Sequence, residues 1–312
     1  MRLGFALPQV GGVADPTAIV TAVKRAEDLG FTSAWVNDRV LWPTNPRSPY
    51  PASADGALPT QWQRNLDPLD VLTFAAAAST TLRLGTSVLI LPLYNPVLLA
   101  RRLATIDVLS RGRLIAGFGL GWSPDEYLAA GVPMAGQSRR MDDSLDIVEK
   151  IWAGGTVAHD SEFVTLAESV FEMRPVQRPR PPVYLAAYTP AGLARIARRA
   201  DGWIPVGLPI DAIAGMRAAI AQMATEAGRD PAEIGCIVRA NVHLVDGMPD
   251  GDSRPEFCGS LTQVTADLER YAESDVDELL IDAQFSPGGD ELAAYLQLLE
   301  HFALRVPRLA MA

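Results

Sequence analysis

Short apolar runs of strand length alternate with longer stretches of helical period along the whole sequence. The run Leu3–Leu7, for example, precedes the helical pattern Asp15–Leu29, which opens on an N-capping aspartate and a first-turn proline. About eight such strand–helix units follow one another, the count typical of a (β/α)8 barrel, whereas a doubly wound sheet usually has fewer strands. The pattern therefore predicts an α/β fold: a (β/α)8 TIM barrel with insertions in its βα loops, formed as a single domain by residues 1–312.

The predicted elements have lengths ordinary for strands and helices. The strands are Leu3–Leu7, Ser33–Asn37, Leu82–Leu89, Arg113–Gly117, Val183–Ala186, Gly202–Val206, Ile234–Leu244 and Glu278–Ala283. The helices are Asp15–Leu29, Asp67–Ser79, Asn95–Leu109, Ser138–Trp152, Pro190–Arg198, Pro209–Ala227, Ser260–Glu273 and Gly289–Leu304.

Two long insertions interrupt this alternation. Arg39–Leu66, here called the mouth loop, is rich in proline and carries Trp42, Tyr50 and Trp62. As a βα loop it is expected at the C-terminal end of the barrel strands, where such barrels build their active sites. The second insertion, Gly154–Pro182, alternates apolar and polar residues before a proline-rich stretch, which predicts a small hairpin and a pinned connection.

Charge and composition exclude several classes of function. There are 27 basic and 37 acidic residues, giving a net charge of −10 without a basic run, so nucleic acid is not an expected partner. The two cysteines, Cys236 and Cys258, show neither metal-binding spacing nor a disulfide framework, and the three histidines are far apart, so no metal site is predicted. We find no signal peptide and no membrane-length apolar run, and expect a cytoplasmic enzyme that acts on a small molecule.

The segment from Leu109-Ser-Arg-Gly-Arg113 to Trp122 is a polar turn, a short apolar strand and a glycine-rich strand end. The small residues allow a ligand or a neighbouring backbone to approach closely. Gly117-Phe-Gly-Leu-Gly121 has GxGxG spacing, not the GxGxxG of dinucleotide-binding sites, and the P-loop and GxSxG motifs are absent.

Polar and aromatic residues follow the ends of several predicted strands. Each has a structural alternative: Asp38 could cap a turn, Trp122 could belong to the core, and Glu126 could be a solvated helix residue. Taken together they converge on one rim of the barrel, which favours a functional site. These residues are Gln9, Asp38, Arg39, Thr86, Ser87, Trp122, Glu126, Ala187, Tyr188 and Thr189.

The residues resemble the luciferase-like monooxygenase family, whose members are flavin- and deazaflavin-dependent (β/α)8 proteins. The resemblance covers nearly the whole chain, and the Ser-Arg-Gly-Arg block is its most specific part. It is carried by Ala26-Glu-Asp-Leu-Gly-Phe31, Trp35-Val-Asn-Asp38, Leu84-Gly-Thr-Ser-Val88, Asp107-Val-Leu-Ser-Arg-Gly-Arg-Leu114, Gly119-Leu-Gly-Trp122 with Glu126, Tyr127 and Gly131, Arg178-Pro-Arg-Pro-Pro182, Ala200-Asp-Gly-Trp203 and Asp277-Glu-Leu279.

The resemblance implies a tricyclic cofactor at the barrel mouth, coenzyme F420 or alternatively FMN. It implies that the ring lies against a bulge at the end of the third strand, where the peptide bond between Ser87 and Val88 would be cis. Asp38 would approach the ring edge or the hydroxyl of the deazaflavin, and Ala187 to Thr189 would meet the phosphate-bearing tail. The family often has glycines there, where this chain has Ala186-Ala187. Gln9 and Thr86 complete the expected cofactor-binding set.

Two departures bear on the chemistry, which we assign to Arg39, Trp122 and Glu126. The sugar-phosphate dehydrogenase branch has histidine after the strand-two acid and glutamate where Trp122 stands. Arginine cannot act as a base at neutral pH, and indole only donates, so that branch's acid–base scheme is disfavoured.

Hydride transfer from a reduced deazaflavin to a C=O, C=C or C=N acceptor, with Arg39 polarising an oxygen, fits these residues, and the aromatic mouth loop suits a hydrophobic or aromatic acceptor. The alternatives are an FMN-dependent monooxygenase and a non-catalytic cofactor-binding protein. A homodimer is expected because family members often pair.

Overall fold

A computed structural model describes residues 1–53, 55–246, 248 and 254–306 of the chain. The strands are β1 (Arg2–Ala6), β2 (Ser33–Val36), β3 (Arg83–Thr86), β4 (Leu89–Ile90), β5 (Leu114–Gly119), β6 (Gly155–Asp160), β7 (Thr165–Phe171), β8 (Val183–Leu185), β9 (Gly202–Trp203), β10 (Gly235–Asn241), β11 (His243–Leu244), β12 (Cys258–Gly259) and β13 (Glu278–Asp282). The helices are α1 (Pro16–Asp28), α2 (Pro68–Ala78), α3 (Pro96–Leu109), α4 (Pro124–Ala129), α5 (Gln137–Ala153), α6 (Pro190–Arg199), α7 (Ile210–Glu226), α8 (Leu261–Ala272) and α9 (Leu292–Arg305).

Eight parallel strands within the described residues close into a barrel, which confirms the predicted (β/α)8 fold. The hydrogen-bonded order around the ring is β1, β2, β3, β5, β8, β9, β10 and β13, and β13 returns to β1. Most residues of these strands are buried because helices cover the outside and side chains fill the inside. The carboxyl ends of all eight strands therefore meet at one rim.

Barrel closure is reinforced at the opposite, N-terminal end by a buried carboxylate. Glu278 of β13 is fully buried and accepts hydrogen bonds from Ser33 and Trp35 of β2. Its other oxygen pairs with Arg83 of β3 and lies 3.5 Å from the Nε of Arg2. Because a buried carboxylate needs partners, this arrangement ties the last strand to the first three.

The Ser-Arg-Gly-Arg turn also lies at this N-terminal end, just before β5. The guanidinium of Arg113 donates to the carbonyls of Ala76, Ser79 and Leu82, which caps the end of α2. Gly112 has a φ of 80°, which glycine adopts without steric cost. The motif that most strongly indicated the family is thus structural in its role.

Several details differ from the sequence-based prediction, and β9 covers only Gly202–Trp203 of the strand predicted over Gly202–Val206. The strand predicted over Leu82–Leu89 is divided, because the cis peptide bond between Ser87 and Val88 separates β3 from β4. The strand predicted over Ile234–Leu244 breaks at Val242, after which β11 pairs with β12 instead of staying in the barrel. The short helix α4 was not predicted, since its six residues show too little periodicity.

The predicted hairpin in the second insertion is confirmed, with β6 antiparallel to β7. None of the helices in the described part of the chain is both long and apolar enough to span a bilayer.

Candidate active site at the C-terminal end of the barrel

The mouth loop is attached to α4, the helix that follows the β5 end. The backbone N–H of Val40 donates to Oε1 of Glu126 at 2.8 Å, and the N–H of Arg47 donates to Oδ2 of Asp125 at 2.9 Å. These two bonds use the acidic first turn of α4 and pin the loop between the ends of β2 and β5. The loop is thereby held over the barrel mouth, as its position after β2 predicted.

Aromatic side chains enclose Arg39 at the start of this loop. Its guanidinium carbon lies 4.9 Å from the ring centre of Trp62 and 5.2 Å from that of Trp122, both within cation–π range. Tyr50 packs against both indoles, with ring centres 5.0 and 5.4 Å away. The cluster of Arg39, Tyr50, Trp62 and Trp122, here called the aromatic cage, places a desolvated cation at the rim.

Glu126 lies behind Arg39 and orients it. Its carboxylate is 3.2 Å from Nη2 of Arg39, and the two side chains are 1% and 9% exposed. Burial raises the pKa of Glu126, and the neighbouring guanidinium opposes that shift. Glu126 is therefore not a solvated helix residue, and it holds Arg39 in place through an ion pair and the loop through Val40.

Asp38, immediately before Arg39, is a second buried carboxyl. Its Oδ2 accepts from the N–H of Ile90 and from the hydroxyl of Tyr94, both at 2.9 Å. Burial raises its pKa, and these two hydrogen bonds oppose the shift. The carboxyl thus links the end of β2 to the segment that follows the bulge at Ser87–Val88. A perturbed buried acid at a strand end is typical of a functional site.

Two glycines of β5 make room for that bulge. A Cβ on Gly117 would overlap the carbonyl oxygen of Thr86, and one on Gly119 would lie 2.6 Å from Cγ2 of Val88. The hydroxyl of Thr86 also bonds both backbone groups of Gly117, so its side chain is structural. The small residues of β5 therefore admit a neighbouring backbone, one of the two possibilities that the sequence left open.

The segment after β8 leads into α6. The side chain of Thr189 caps this helix by accepting from the N–H of Gly192, and the carbonyl of Ala187 accepts from Nε1 of Trp203. Tyr188 is 42% exposed, and its hydroxyl accepts a hydrogen bond from the N–H of Val206 at 3.2 Å. The three residues share the rim with the aromatic cage, and their peptide groups lead into the N-terminus of α6.

Gln9 is fully buried, with its side-chain amide hydrogen-bonded to the backbone of Asn37. It therefore supports the rim from below. Sequence analysis missed Arg239 and Asp282, which pair inside the barrel near the same rim. The sequence signal that could have found them is a charged residue inside each of the two otherwise apolar strands, β10 and β13. In the described part of the chain, no cluster of His, Cys, Asp and Glu could hold a metal ion.

The raised pKa of Asp38 predicts how stability depends on pH. The folded protein keeps this proton to higher pH than the unfolded chain, whose carboxyl titrates near about 4, so the contribution of Asp38 to stability falls as pH rises above that value. We expect the stability of Asp38→Asn relative to the natural protein to increase across this window, measured by urea denaturation at a series of pH values.

Asp55→Asn is the matched control, because hydrogen bonding by Ser53 lowers the pKa of Asp55. Its pH dependence should have the opposite sign. A flat difference between Asp38→Asn and the natural protein would contradict the assigned environment of Asp38.

Fold and rim together define a (β/α)8 barrel with its candidate site at the carboxyl ends of the strands. The chain belongs to the luciferase-like monooxygenase family, whose model matches residues 1–249. An uncharacterised protein of Mycobacterium tuberculosis is 34% identical over 191 residues, which cover 61% of this chain and 68% of the relative.

Solved structures share the fold at lower identity. An F420-dependent secondary alcohol dehydrogenase in complex with an F420–acetone adduct has a TM-score of 0.77 at 16% identity, covering 98% of this chain and 99% of that one. The oxygenating constituent of 3,6-diketocamphane monooxygenase from Pseudomonas putida, in complex with FMN, has a TM-score of 0.74 at 17% identity and covers 98% of both chains. The fold is therefore common to neighbours that use either cofactor.

Proposed function

We propose that this chain is an oxidoreductase that transfers a hydride between coenzyme F420 and a small hydrophobic or aromatic substrate bearing an oxygen at the reacting group. The observation that carries the proposal is the aromatic cage. It presents a fixed cation beside flat apolar walls, next to the buried acid Asp38. Such a wall selects a planar or apolar substrate, and the cation selects an oxygen on it.

The residues present fit a flat tricyclic cofactor. The bulge at Ser87–Val88 follows the end of β3 at the rim, and the glycines of β5 keep side chains away from it. The Nε1 atom of Trp62 is buried without a hydrogen-bond partner among the described residues. An orphaned buried donor is costly, which supports a ligand acceptor at this place.

When bound, coenzyme F420 supplies the hydride that two-electron reduction requires. The task of Arg39 is to stabilise negative charge on the substrate oxygen. Trp62, Trp122 and Tyr50 exclude water from the guanidinium, which strengthens this interaction. Glu126 fixes the side chain of Arg39 before the substrate binds, so Arg39 loses less conformational freedom on binding. Asp38, held by Ile90 and Tyr94, would bind the ring edge.

The test begins with cofactor binding. Tryptophan fluorescence of the purified protein is titrated with coenzyme F420 and, separately, with FMN. Oxidation of reduced F420 is then followed by absorbance with a panel of aromatic and alicyclic ketones, enones and imines. We expect tighter binding of F420 than of FMN and turnover with at least one oxygen-bearing acceptor.

Two outcomes would overturn the proposal. Tight FMN binding with substrate-dependent oxygen consumption would establish a monooxygenase. Retention of either cofactor without turnover across the panel would establish a binding protein. Arg229→Lys serves as a control for variants of the cage, since Arg229 binds carbonyls near the end of α6 and lies outside the cage. Cofactor binding and turnover should be unchanged in it.

A further inference from the structure

Arg239 is a buried arginine of β10, 8% exposed, whose three nitrogens all have partners inside the barrel. Nε donates to Oδ1 of Asn241 at 2.9 Å, Nη1 donates to the carbonyl of Ser87, and Nη2 pairs with Asp282 of β13. One side chain therefore connects β10 and β13 with the backbone of the bulge.

The hydrogen bonds continue from Asp282 around the rim. Oδ1 of Asp282 accepts from the side-chain amide of Gln284 at 3.1 Å, and the carbonyl of that amide accepts from the N–H of Gln9 at 3.1 Å. The side chain of Gln9 in turn bonds the N–H and C=O of Asn37 at 2.7 and 2.8 Å. We call the series Arg239, Asp282, Gln284 and Gln9 the rim network.

The rim network has one end at the Ser87 carbonyl and the other at the peptide groups directly before Asp38. These are the two segments that flank the proposed cofactor site. A buried ion pair is weak evidence for stability, since apolar side chains of similar volume often serve a core as well or better. The Arg239–Asp282 pair is fully hydrogen-bonded and fixes two functional segments. Its presence in the core is therefore better explained by the geometry that it imposes on those segments than by stability.

We propose that Arg239 is a positioning residue of the cofactor site. Through its own bond it fixes the Ser87 carbonyl, and through Asp282, Gln284 and Gln9 it fixes the backbone at Asn37 and Asp38. It thereby sets the separation of the two segments between which the ring edge binds. The proposal rests on the proposed function only in naming the ligand as a flat cofactor, and it holds equally for F420 and for FMN.

The test uses Arg239→Lys, which keeps the charge beside Asp282 but cannot reproduce the three-way fork of the guanidinium. Hydrogen exchange of the cofactor-free protein should become faster at the amides of both segments, 36–38 and 87–90. Affinity for F420 or FMN, whichever the natural protein binds, should fall by about tenfold, as expected for a small misplacement of binding groups.

Gln284→Met tests whether Arg239 acts on the segment 36–38 through the rim network, because it breaks that network between Asp282 and Gln9. Exchange should then rise at 36–38 and stay unchanged at 87–90. Arg83→Lys is the matched control: it alters a comparable arginine–carboxylate pair at the other end of the barrel, so neither segment nor the cofactor affinity should respond.

Unchanged exchange at both segments in Arg239→Lys would overturn the positioning role, and so would uniform loosening of the whole barrel. Faster exchange at both segments, with weaker cofactor binding, in a protein that binds FMN and not F420 would uphold the positioning role while refuting the proposed function. The two proposals can therefore fail separately.

Discussion

Arg39→Met is expected to lower the free energy of unfolding by about 3 kcal/mol, because it leaves the buried carboxyl of Glu126 without its cation, and to lower kcat strongly. Loss of a preorganised charge at the reacting oxygen alone costs about a hundredfold or more in kcat. Chemical denaturation and steady-state assays on the same preparation measure the two effects.

The double variant Arg39→Met/Glu126→Gln is the control for the stability effect. Glutamine keeps the oxygen that accepts from Val40 but removes the buried charge, so most of the lost stability should return without the activity. The stability deficit of the single variant should also shrink at low pH, where Glu126 takes up a proton. Strictly additive stability effects would show that the pair is not coupled.

Gly117→Ala is expected to destabilise the protein by about 3 kcal/mol, the upper range for an overpacked core, and to weaken cofactor binding. The added methyl would occupy the position of the Thr86 carbonyl oxygen, and backbone on both strands would have to move. Because the bulge at Ser87–Val88 directly follows Thr86, its displacement should be visible in the exchange rates of residues 86–90.

Two further glycine variants form a graded series with this one. In Gly119→Ala the added methyl comes too close only to Cγ2 of Val88, a side-chain methyl, so a milder loss is expected. Gly215 lies on α7 with open space around it, and Gly215→Ala should raise stability by about 0.5–1 kcal/mol through its helix preference. Equal losses at 117 and 215 would refute the steric explanation.

The barrel was predictable from sequence because each strand–helix unit carries its own local signal. Caps such as Asp15, Asp67 and Asn95, each followed by proline, placed helix starts within a residue. The division of the strand at Ser87–Val88 left no signal in hydropathy. It became an expectation only through the family resemblance.

The site was predictable in part for the same reason. Asp38, Arg39 and Trp122 lie within a few residues of the carboxyl ends of β2 and β5, so the rule for barrel rims located them. The contact between Glu126 and Arg39 could not be predicted, because it depends on the path of the mouth loop. The bond that places this loop on Glu126 comes from Val40, 86 residues away in sequence. Arg239 and Asp282 stand within strands, and only the closed barrel shows that they face each other.

Because β13 pairs with β1, the barrel can close only late in synthesis of the chain. Until Glu278 to Asp282 have left the ribosome, β1 and β10 each keep an open edge, and the carboxylate that binds Ser33, Trp35 and Arg83 does not yet exist as a partner. Open strand edges associate with other chains. Nascent chains stalled before residue 278 should therefore aggregate or recruit chaperones. Chains in which β13 has left the ribosome can close the barrel and should do neither.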